Sequence, residues 1–442
     1  MIRGWLLAIG LVGLGGASLY AELPDEFPKG FDRLQIVGPC GYSFGLTLFA
    51  GDVYYTDFNA QSIFRLRNGK PEPVLTGIPA LYGITTGKGE IFYATDGDQK
   101  DAAIHRWMPD TNPETVFRGM TRPRQLFYED RGALLFALEG EGRIVRLDLK
   151  SRELETLAEG MTAPQAVVSE GEKIFFSQYG TMNGDGTPLV QGQLSLLDRG
   201  KAKEKEIIKI WRARGLSLLG PDRLAVLSES DEQDHGSSAS FRIVDSAGKV
   251  SLLVQGFDYP QFNAQDGVGN VFTTAPRDRV VLKFLTGASE GEEKQVQLGR
   301  GVSAFASVLG KFSEKGKKDV RELRIRGAKN GPFSVWVEPD PKGRFAGWIR
   351  IPAEEFPELS RQELKYPDPA TQTYTPGVFA VPNLEVAAVD GAVLRHHVIP
   401  QRGNKGVRWP MTHVGTGKEA PAPGFSEEPV AYLVYLEVGE GG

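Results

Sequence analysis

A five-residue motif recurs in this chain and limits what the chain can fold into. It reads Gly-Met-Thr-Arg-Pro at 119–123 and Gly-Met-Thr-Ala-Pro at 160–164, and a looser copy, Gly-Phe-Asp-Tyr-Pro, stands at 256–260. Each copy precedes a short apolar run, a turn, and a second run rich in β-branched or aromatic residues. Such a motif indicates a repeated unit that buries its apolar faces against its neighbours.

The spacing of the motif gives the number of units. Gly77, Gly119 and Gly160 are 42 and 41 residues apart, and Gly160 to Gly256 is 96 residues, or two units of 48. Six units therefore fit, at 36–76, 77–118, 119–159, 160–210, 211–255 and 256–300. A period in the forties with strand-like content is typical of propeller blades rather than of helical solenoids.

Four strands can be identified in a unit. The first unit has runs at 46–49, 53–56 and 62–66 and an outer strand starting at Pro73, with Asn68-Gly69 as a hairpin turn. The third unit repeats this with runs at 125–128, 133–138 and 143–148. Four strands make one blade, so the sequence predicts an all-β fold with a six-bladed β-propeller over residues 36–300.

The strand pattern of the first unit also resembles a known superfamily. Val53-Tyr54-Tyr55-Thr56-Asp57 followed by Ser62-Ile63-Phe64-Arg65-Leu66 is similar to a blade of the YWTD, NHL and gluconolactonase-type propellers, with weaker copies at 91–96 and 143–148. The resemblance implies the six-bladed fold. It does not imply a function, because these propellers include enzymes, receptors and binding modules.

Aligning the start of the innermost strand in each unit predicts which side chains line the mouth of the central channel. These six residues are Phe44, Tyr82, Arg124, Gln165, Arg214 and Gln261. Arginines, amides and aromatic rings around one axis suit an anionic or sugar-like ligand. In the alternative, the arginines bind acceptors on neighbouring blades and seal the axis.

The same positions disfavour lactonase chemistry. The resemblance implies a divalent metal held by a Glu before Gly-Pro and by Asn or Asp residues after later prolines, but Val37 precedes Gly38-Pro39 here, and Arg124, Gln165 and Gln261 follow the later prolines. No metal ligand is carried over. Ser43 lies in a G-x-S-x-G pattern, but a strand rather than a helix follows, so it is not expected to be catalytic.

Other metal sites have weaker support. Asp96-Gly97-Asp98 with Asp101, and the loop at 183–186, offer oxygen ligands for Ca²⁺, but Asp-Gly and Asn-Gly pairs are also ordinary turn residues. One of His396 and His397 could join His413, with no third ligand to complete a metal site. No cofactor is predicted.

The start of the chain predicts export. Residues 1–21 combine Arg3, an uncharged run at 5–16 and small residues near a cleavage point, which is typical of a signal peptide; an uncleaved anchor is the alternative. Residues 22–35 are read as a linker, and the mature protein as periplasmic or secreted with no membrane span. The single cysteine, Cys40, excludes an intramolecular disulfide and is expected to be buried.

A second part follows the repeats. Residues 301–319 are read as a linker, and residues 320–442 contain about six strand-like runs, which predicts a β-sandwich-like domain. Trp336, Trp348 and Trp409 could form a sugar platform or belong to the core of this part.

With 51 basic and 56 acidic residues there is no basic excess that would favour nucleic acid. The resulting hypothesis is an exported propeller that binds a protein partner or a polar or anionic ligand at its axis. A secreted or periplasmic hydrolase or lyase acting on a sugar-derived substrate, and a cell-envelope scaffold, are the alternatives. The aligned axial positions hold no carboxylate or histidine, which disfavours an enzyme.

Overall fold

The structure is a computed structural model. It describes residues 33–439 apart from 98, 183–187, 200–202, 230–238, 256, 258, 277, 288–291, 297–302, 309–320, 327–332, 340–344, 354–358, 368–373, 383–384, 389–391 and 403–428. The predicted signal peptide, the loop at 183–186, Asp98, Trp409 and His413 lie outside the described residues.

The six-bladed β-propeller predicted from the repeat is confirmed, because six four-stranded antiparallel sheets follow one another along the chain. The first strand, β1 (Leu34–Pro39), is separate from the five sheets that come next. Blades 1 to 5 follow in chain order, and each is built from its innermost strand outwards. Blade 1 contains β2 to β5 (Leu46–Phe49, Asp52–Asp57, Ser62–Arg67, Lys70–Leu75), and blade 2 contains β6 to β9 (Leu81–Gly87, Glu90–Thr95, Ala102–Trp107, Glu114–Met120). Blade 3 contains β10 to β13 (Pro123–Glu129, Ala133–Leu138, Arg143–Asp148, Leu154–Glu159), blade 4 contains β14 to β17 (Pro164–Glu170, Lys173–Met182, Pro188–Asp198, Lys203–Lys209), and blade 5 contains β18 to β21 (Ala213–Gly220, Arg223–Ser228, Ser240–Asp245, Val250–Gln255).

Blade 6 is closed by the start of the propeller. Its three inner strands are β22 (Asn263–Gln265), β23 (Val271–Ala275) and β24 (Val280–Phe284), and β1 pairs with β24 as the outer strand, Leu34 opposite Phe284. The division by spacing had placed residues 36–45 in the first unit, whereas the structure places 34–39 in the last blade. Pairing the two ends of the ring leaves no blade with a missing strand, which explains the correction.

The recurring motif forms the junction between blades. Gly119 and Arg122 have φ of +96° and +48°, and in the second copy Gly160 and Ala163 have φ of +76° and +48°. Two residues in the left-handed region turn the chain from the outer strand of one blade to the inner strand of the next. The motif recurs because this backbone path recurs.

The core lies between the blades. All six residues of β11 are buried because both faces of the sheet pack on a neighbouring blade. Leu134 and Phe136 belong to the apolar cluster shared with blade 2, and Leu135 and Ala137 to the cluster shared with blade 4. The single cysteine, Cys40, is buried as predicted.

The described residues that follow the propeller also form strands. One sheet has the order β25-β28-β29-β34-β33, a second has β26-β27-β32, and a third pairs β30 with β31. Their bounds are β25 Glu292–Val296, β26 Ser303–Val308, β27 Arg321–Arg326, β28 Phe333–Pro339, β29 Phe345–Pro352, β30 Leu359–Pro367, β31 Tyr374–Pro382, β32 Glu385–Ala388, β33 Ala392–Arg402 and β34 Pro429–Gly439. That these strands form a separate β-sandwich domain stays a prediction.

One tryptophan of this part contacts the propeller. Trp348 is fully buried in a cluster that also contains Leu34, Phe241 and Phe284, and its Nε1 donates a hydrogen bond to the Leu34 carbonyl oxygen at 2.7 Å. Trp348 is therefore a core residue rather than part of an exposed sugar platform. Among the described residues, no helix has the length and apolar character needed to span a membrane.

Candidate functional site at the propeller axis

The structure buries all six residues that the sequence placed at the channel mouth, here named the axial ring: Phe44, Tyr82, Arg124, Gln165, Arg214 and Gln261. The rings of Phe44 and Tyr82 stack with centroids 4.2 Å apart, and the Arg124 guanidinium lies 4.1 Å from the centre of the Tyr82 ring. Between the neighbouring blades 5 and 4, Arg214 Nη1 donates to Gln165 Oε1 at 3.4 Å. Gln261 instead donates to the Tyr259 carbonyl oxygen at 3.2 Å.

A repeated backbone feature places these side chains. In blades 2 to 6 the residue two positions before the axial one has positive φ: Ala80, Arg122, Ala163, Arg212 and Tyr259. In blades 2 to 5 the carbonyl oxygen of this residue accepts a hydrogen bond from a backbone N–H in, or just after, the second strand of the same blade. The donors are Asp96, Glu139, Tyr179 and Glu229. The same turn therefore brings two side chains of each of these blades to the axis.

The second of those side chains was missed by the sequence alignment. Together with Phe58 of blade 1, these residues form what we name the mouth ring: Phe58, Asp96, Glu139, Tyr179 and Glu229. The alignment of axial positions found no carboxylate, but the structure brings three to the axis from this other position. The available signal was an acid 15 residues after each axial arginine, as in Arg124 with Glu139 and Arg214 with Glu229.

Both axial arginines are paired. Arg124 binds Glu139 of its own blade and Asp96 of blade 2, the latter at 3.2 Å from Nη1. Arg214 binds Glu229, which also accepts a hydrogen bond from the Tyr179 hydroxyl. The alternative left open by the sequence has the arginines bind acceptors on neighbouring blades. Asp96 and Gln165 are such acceptors, whereas Glu139 and Glu229 lie on the arginines' own blades.

The ion pairs set the charge state of Glu139. Burial raises its pKa, but the positive charges of Arg124 and Arg214 lower it further than burial raises it, so the net pKa is below the ordinary value. Glu139 is consequently ionised at neutral pH and suited to accept hydrogen bonds rather than to donate a proton. Burial raises the pKa of Tyr82 to about 12, so this phenol stays neutral.

The channel beneath the axial ring is closed. The next residue in the six blades is Gly45, Gly83, Gln125, Ala166, Gly215 or Phe262. Gln125 crosses the axis: its Nε2 donates to the Leu216 carbonyl oxygen at 2.6 Å, and its Oε1 accepts from Leu216 N at 3.0 Å. Phe262 is fully buried against the ring of Tyr82. The small residues leave room for these two side chains, which fill the axis beneath the axial ring.

Two further sequence candidates, Ser43 and Asp101, make local hydrogen bonds. Ser43 is fully buried and donates to the Gly45 carbonyl oxygen at 3.3 Å, and the strand β2 follows it. Asp101 Oδ1 accepts from Gln99 N at 3.2 Å, as an ordinary turn residue does. Within the described residues, no group of three or more His, Cys, Asp or Glu side chains is arranged to hold a metal ion.

No protein-family model and no curated protein matches the chain. Among solved structures, a chain of the nidogen/laminin complex is 14% identical, with 51% of this chain and 87% of that chain covered and a TM-score of 0.41. A putative gluconolactonase is 11% identical over 57% of this chain and 91% of that chain (TM-score 0.45). The PQQ-bound aldose sugar dehydrogenase of Streptomyces coelicolor is 13% identical over 58% and 99% (TM-score 0.46).

The sheet order thus defines this chain as a six-bladed β-propeller. Binding proteins and enzymes share this fold, so the fold alone indicates no single function.

Proposed function

We propose that this protein is an exported binding module that takes a small, uncharged polar ligand, such as a sugar or polyol. The ligand binds at the axial mouth, the end of the propeller axis that the mouth ring surrounds. The observation that carries the proposal is the pairing of both axial arginines with carboxylates of the mouth ring. Paired guanidiniums attract an anion less than free ones, so the pairing favours a neutral polar ligand over an anionic one.

The chemistry of the mouth supports this ligand class. Glu139 and Asp96 are the partly exposed carboxylates, with 23% and 11% of their side chains accessible, and they offer acceptors to ligand hydroxyls. On blades 1 and 6, Phe58 and Tyr259 are partly buried and pack on the aromatic cluster of Phe44 and Tyr82. A mouth with both carboxylates and aromatic rings suits a ligand with hydroxyl edges and apolar faces.

Binding rather than catalysis is favoured by the state of Glu139. Its lowered pKa makes it a poor general acid at neutral pH, and its partner Arg124 holds it in one orientation. A hydrolase or lyase acting on a sugar-derived substrate would need an additional proton donor at this mouth.

The test is calorimetric titration of the purified protein with a panel of neutral monosaccharides, polyols and their acid derivatives. We expect a neutral member to bind. Glu139→Gln should weaken its binding about tenfold, because a charge-assisted acceptor is replaced by a neutral one.

The matched control is Glu72→Gln, which also removes an arginine-bound carboxylate, at 2.6 Å from Arg65, but on the outer strand of blade 1. It should leave binding unchanged. Preferential binding of the acid derivatives, or equal binding by the two variants, would contradict the proposal.

A further inference from the structure

A separate cavity of about 410 Å³ lies between blades 3 and 4, away from the axial mouth. Its volume is within the range of small-molecule pockets, about 300–1,000 Å³. One wall is the outer strand β13, and the other comes from β15 to β17 of blade 4. Leu157, Met161, Phe176 and Leu197 give it an apolar base.

One residue of the lining breaks the pattern of the repeat. Leu197 pairs across the sheet with Glu204, whereas the equivalent outer-strand partners in blades 1, 3 and 5 are Pro71, Leu154 and Val250. A carboxylate thus stands on an apolar face of blade 4 where these other blades carry an apolar residue. Glu204 is exposed at this position, so its carboxylate is accessible to a ligand in the cavity.

The carboxylate of Glu204 is held in place by neighbouring amides. Its Oε1 accepts hydrogen bonds from Gln178 Nε2 at 3.3 Å and from Gln193 Nε2 at 3.1 Å. Gln178 is itself fixed, because its Oε1 accepts from Thr162 N at 2.8 Å. Glu204 Oε1 accepts both of the amide hydrogen bonds, and within the described part of the chain the other oxygen, Oε2, accepts none. The group is oriented before any ligand arrives.

The charge of the lining is negative. Glu155, Glu159 and Glu204 are the acidic residues of its lining. Arg199, the cation among the lining residues, is already bound to Glu129 at 2.8 Å. An apolar base with surplus carboxylates is complementary to a ligand that carries a positive charge on an apolar body.

We propose that this cavity, named the inter-blade cavity, binds an amphipathic organic cation, with its ammonium group on Glu204 and its apolar part against Phe176 and Leu197. The site is independent of the axial mouth, so each proposal can fail without the other.

The probes are 2-phenylethylamine, which is a cation at neutral pH, 2-phenylethanol, which is neutral, and 3-phenylpropionate, which is an anion. Calorimetry on the full-length protein should show binding of the amine only. Glu204→Gln should weaken it about five- to tenfold, since the partly solvated ion pair is lost while the shape is kept.

The matched control is Glu206→Gln, an exposed glutamate on the same strand that does not line the cavity. It should leave the affinity for the amine unchanged.

Four results would overturn the proposal. They are no amine binding up to about 10 mM, equal binding of the three probes, equal effects of the two glutamate variants, or a wild-type dimer that Glu204→Gln dissociates. The last result would make the cavity an interface between copies of the chain.

Discussion

Removing the carboxylate of Glu229 should destabilise the propeller strongly, because this one group is bound by several neighbouring side chains. The Glu229 side chain is 2% exposed and accepts from Arg214 Nε and from the Tyr179 hydroxyl, with Arg212 Nη1 at 3.8 Å. Glu229→Gln leaves the buried Arg214 guanidinium without its counter-charge. Breaking a buried pair from one side costs about 3–5 kcal/mol, and because glutamine retains one acceptor oxygen we expect about 3 kcal/mol.

The assay is urea denaturation followed by circular dichroism, with thermal melting as a second measure. For a domain of this size, about 3 kcal/mol corresponds to a fall in Tm of about 6–12 °C. Glu72→Gln, which breaks an exposed arginine pair, serves as the control and should change the free energy of unfolding by no more than the measurement error.

A double variant tests the physical reason. Arg214→Met combined with Glu229→Leu removes both charges of the pair, so neither partner is left buried without the other. It should therefore be more stable than the sum of the two single changes by about 1–3 kcal/mol. If Glu229→Gln behaves like Glu72→Gln, or if the double variant is additive, the axial pair is not the buried ion pair described here.

Three further predictions concern the same region. Because the pKa of Glu139 is lowered in the folded state, its contribution to stability is present above its ordinary pKa of 4.5 and is lost as the pH falls through the lowered value. Urea denaturation at a series of acidic pH values should therefore show that Glu139→Gln loses less stability on acidification than the wild type does. Gln125→Ala should lower the free energy of unfolding by about 2–3 kcal/mol, since Leu216 N and its carbonyl oxygen lose their buried partner, and an unchanged melting curve would refute this. Gly83→Ala should lower the free energy of unfolding by about 1–3 kcal/mol or more, because the added Cβ would lie 2.2 Å from the Arg124 carbonyl oxygen. In the control, Gly267→Ala, the added Cβ meets no atom within 4 Å, so the melting temperature should not change.

The repeat was sufficient to predict the ring but not how it closes. The junction motif specifies a local backbone path, with left-handed residues such as Gly119 and Arg122, and local geometry can be read from local sequence. Closure depends on the pairing of Leu34 with Phe284, which is a contact between the two ends of the propeller. No local pattern in either strand specifies that partner.

For the site, as for the ring, the sequence indicated which positions of the inner strands are equivalent but not which side chains contact them. The inner strands could be aligned because those of blades 2 to 5 begin with the same register shift. That the six axial residues bind a ligand stays a prediction. The charges that neutralise Arg124 and Arg214 come from the end of a different strand, so an alignment of one strand could not include them. The inter-blade cavity was missed because it arises from the packing of two blades.

The most direct measurement of the central claim is a crystal structure of the protein soaked with the neutral sugars and their acid derivatives. We expect electron density for Arg124 between Asp96 and Glu139, and for a neutral sugar in the mouth within hydrogen-bond distance of Glu139. Density that shows Arg124 turned away from these carboxylates to bind an acid derivative, or a ligand bound only on the outer rim of the blades, would contradict it.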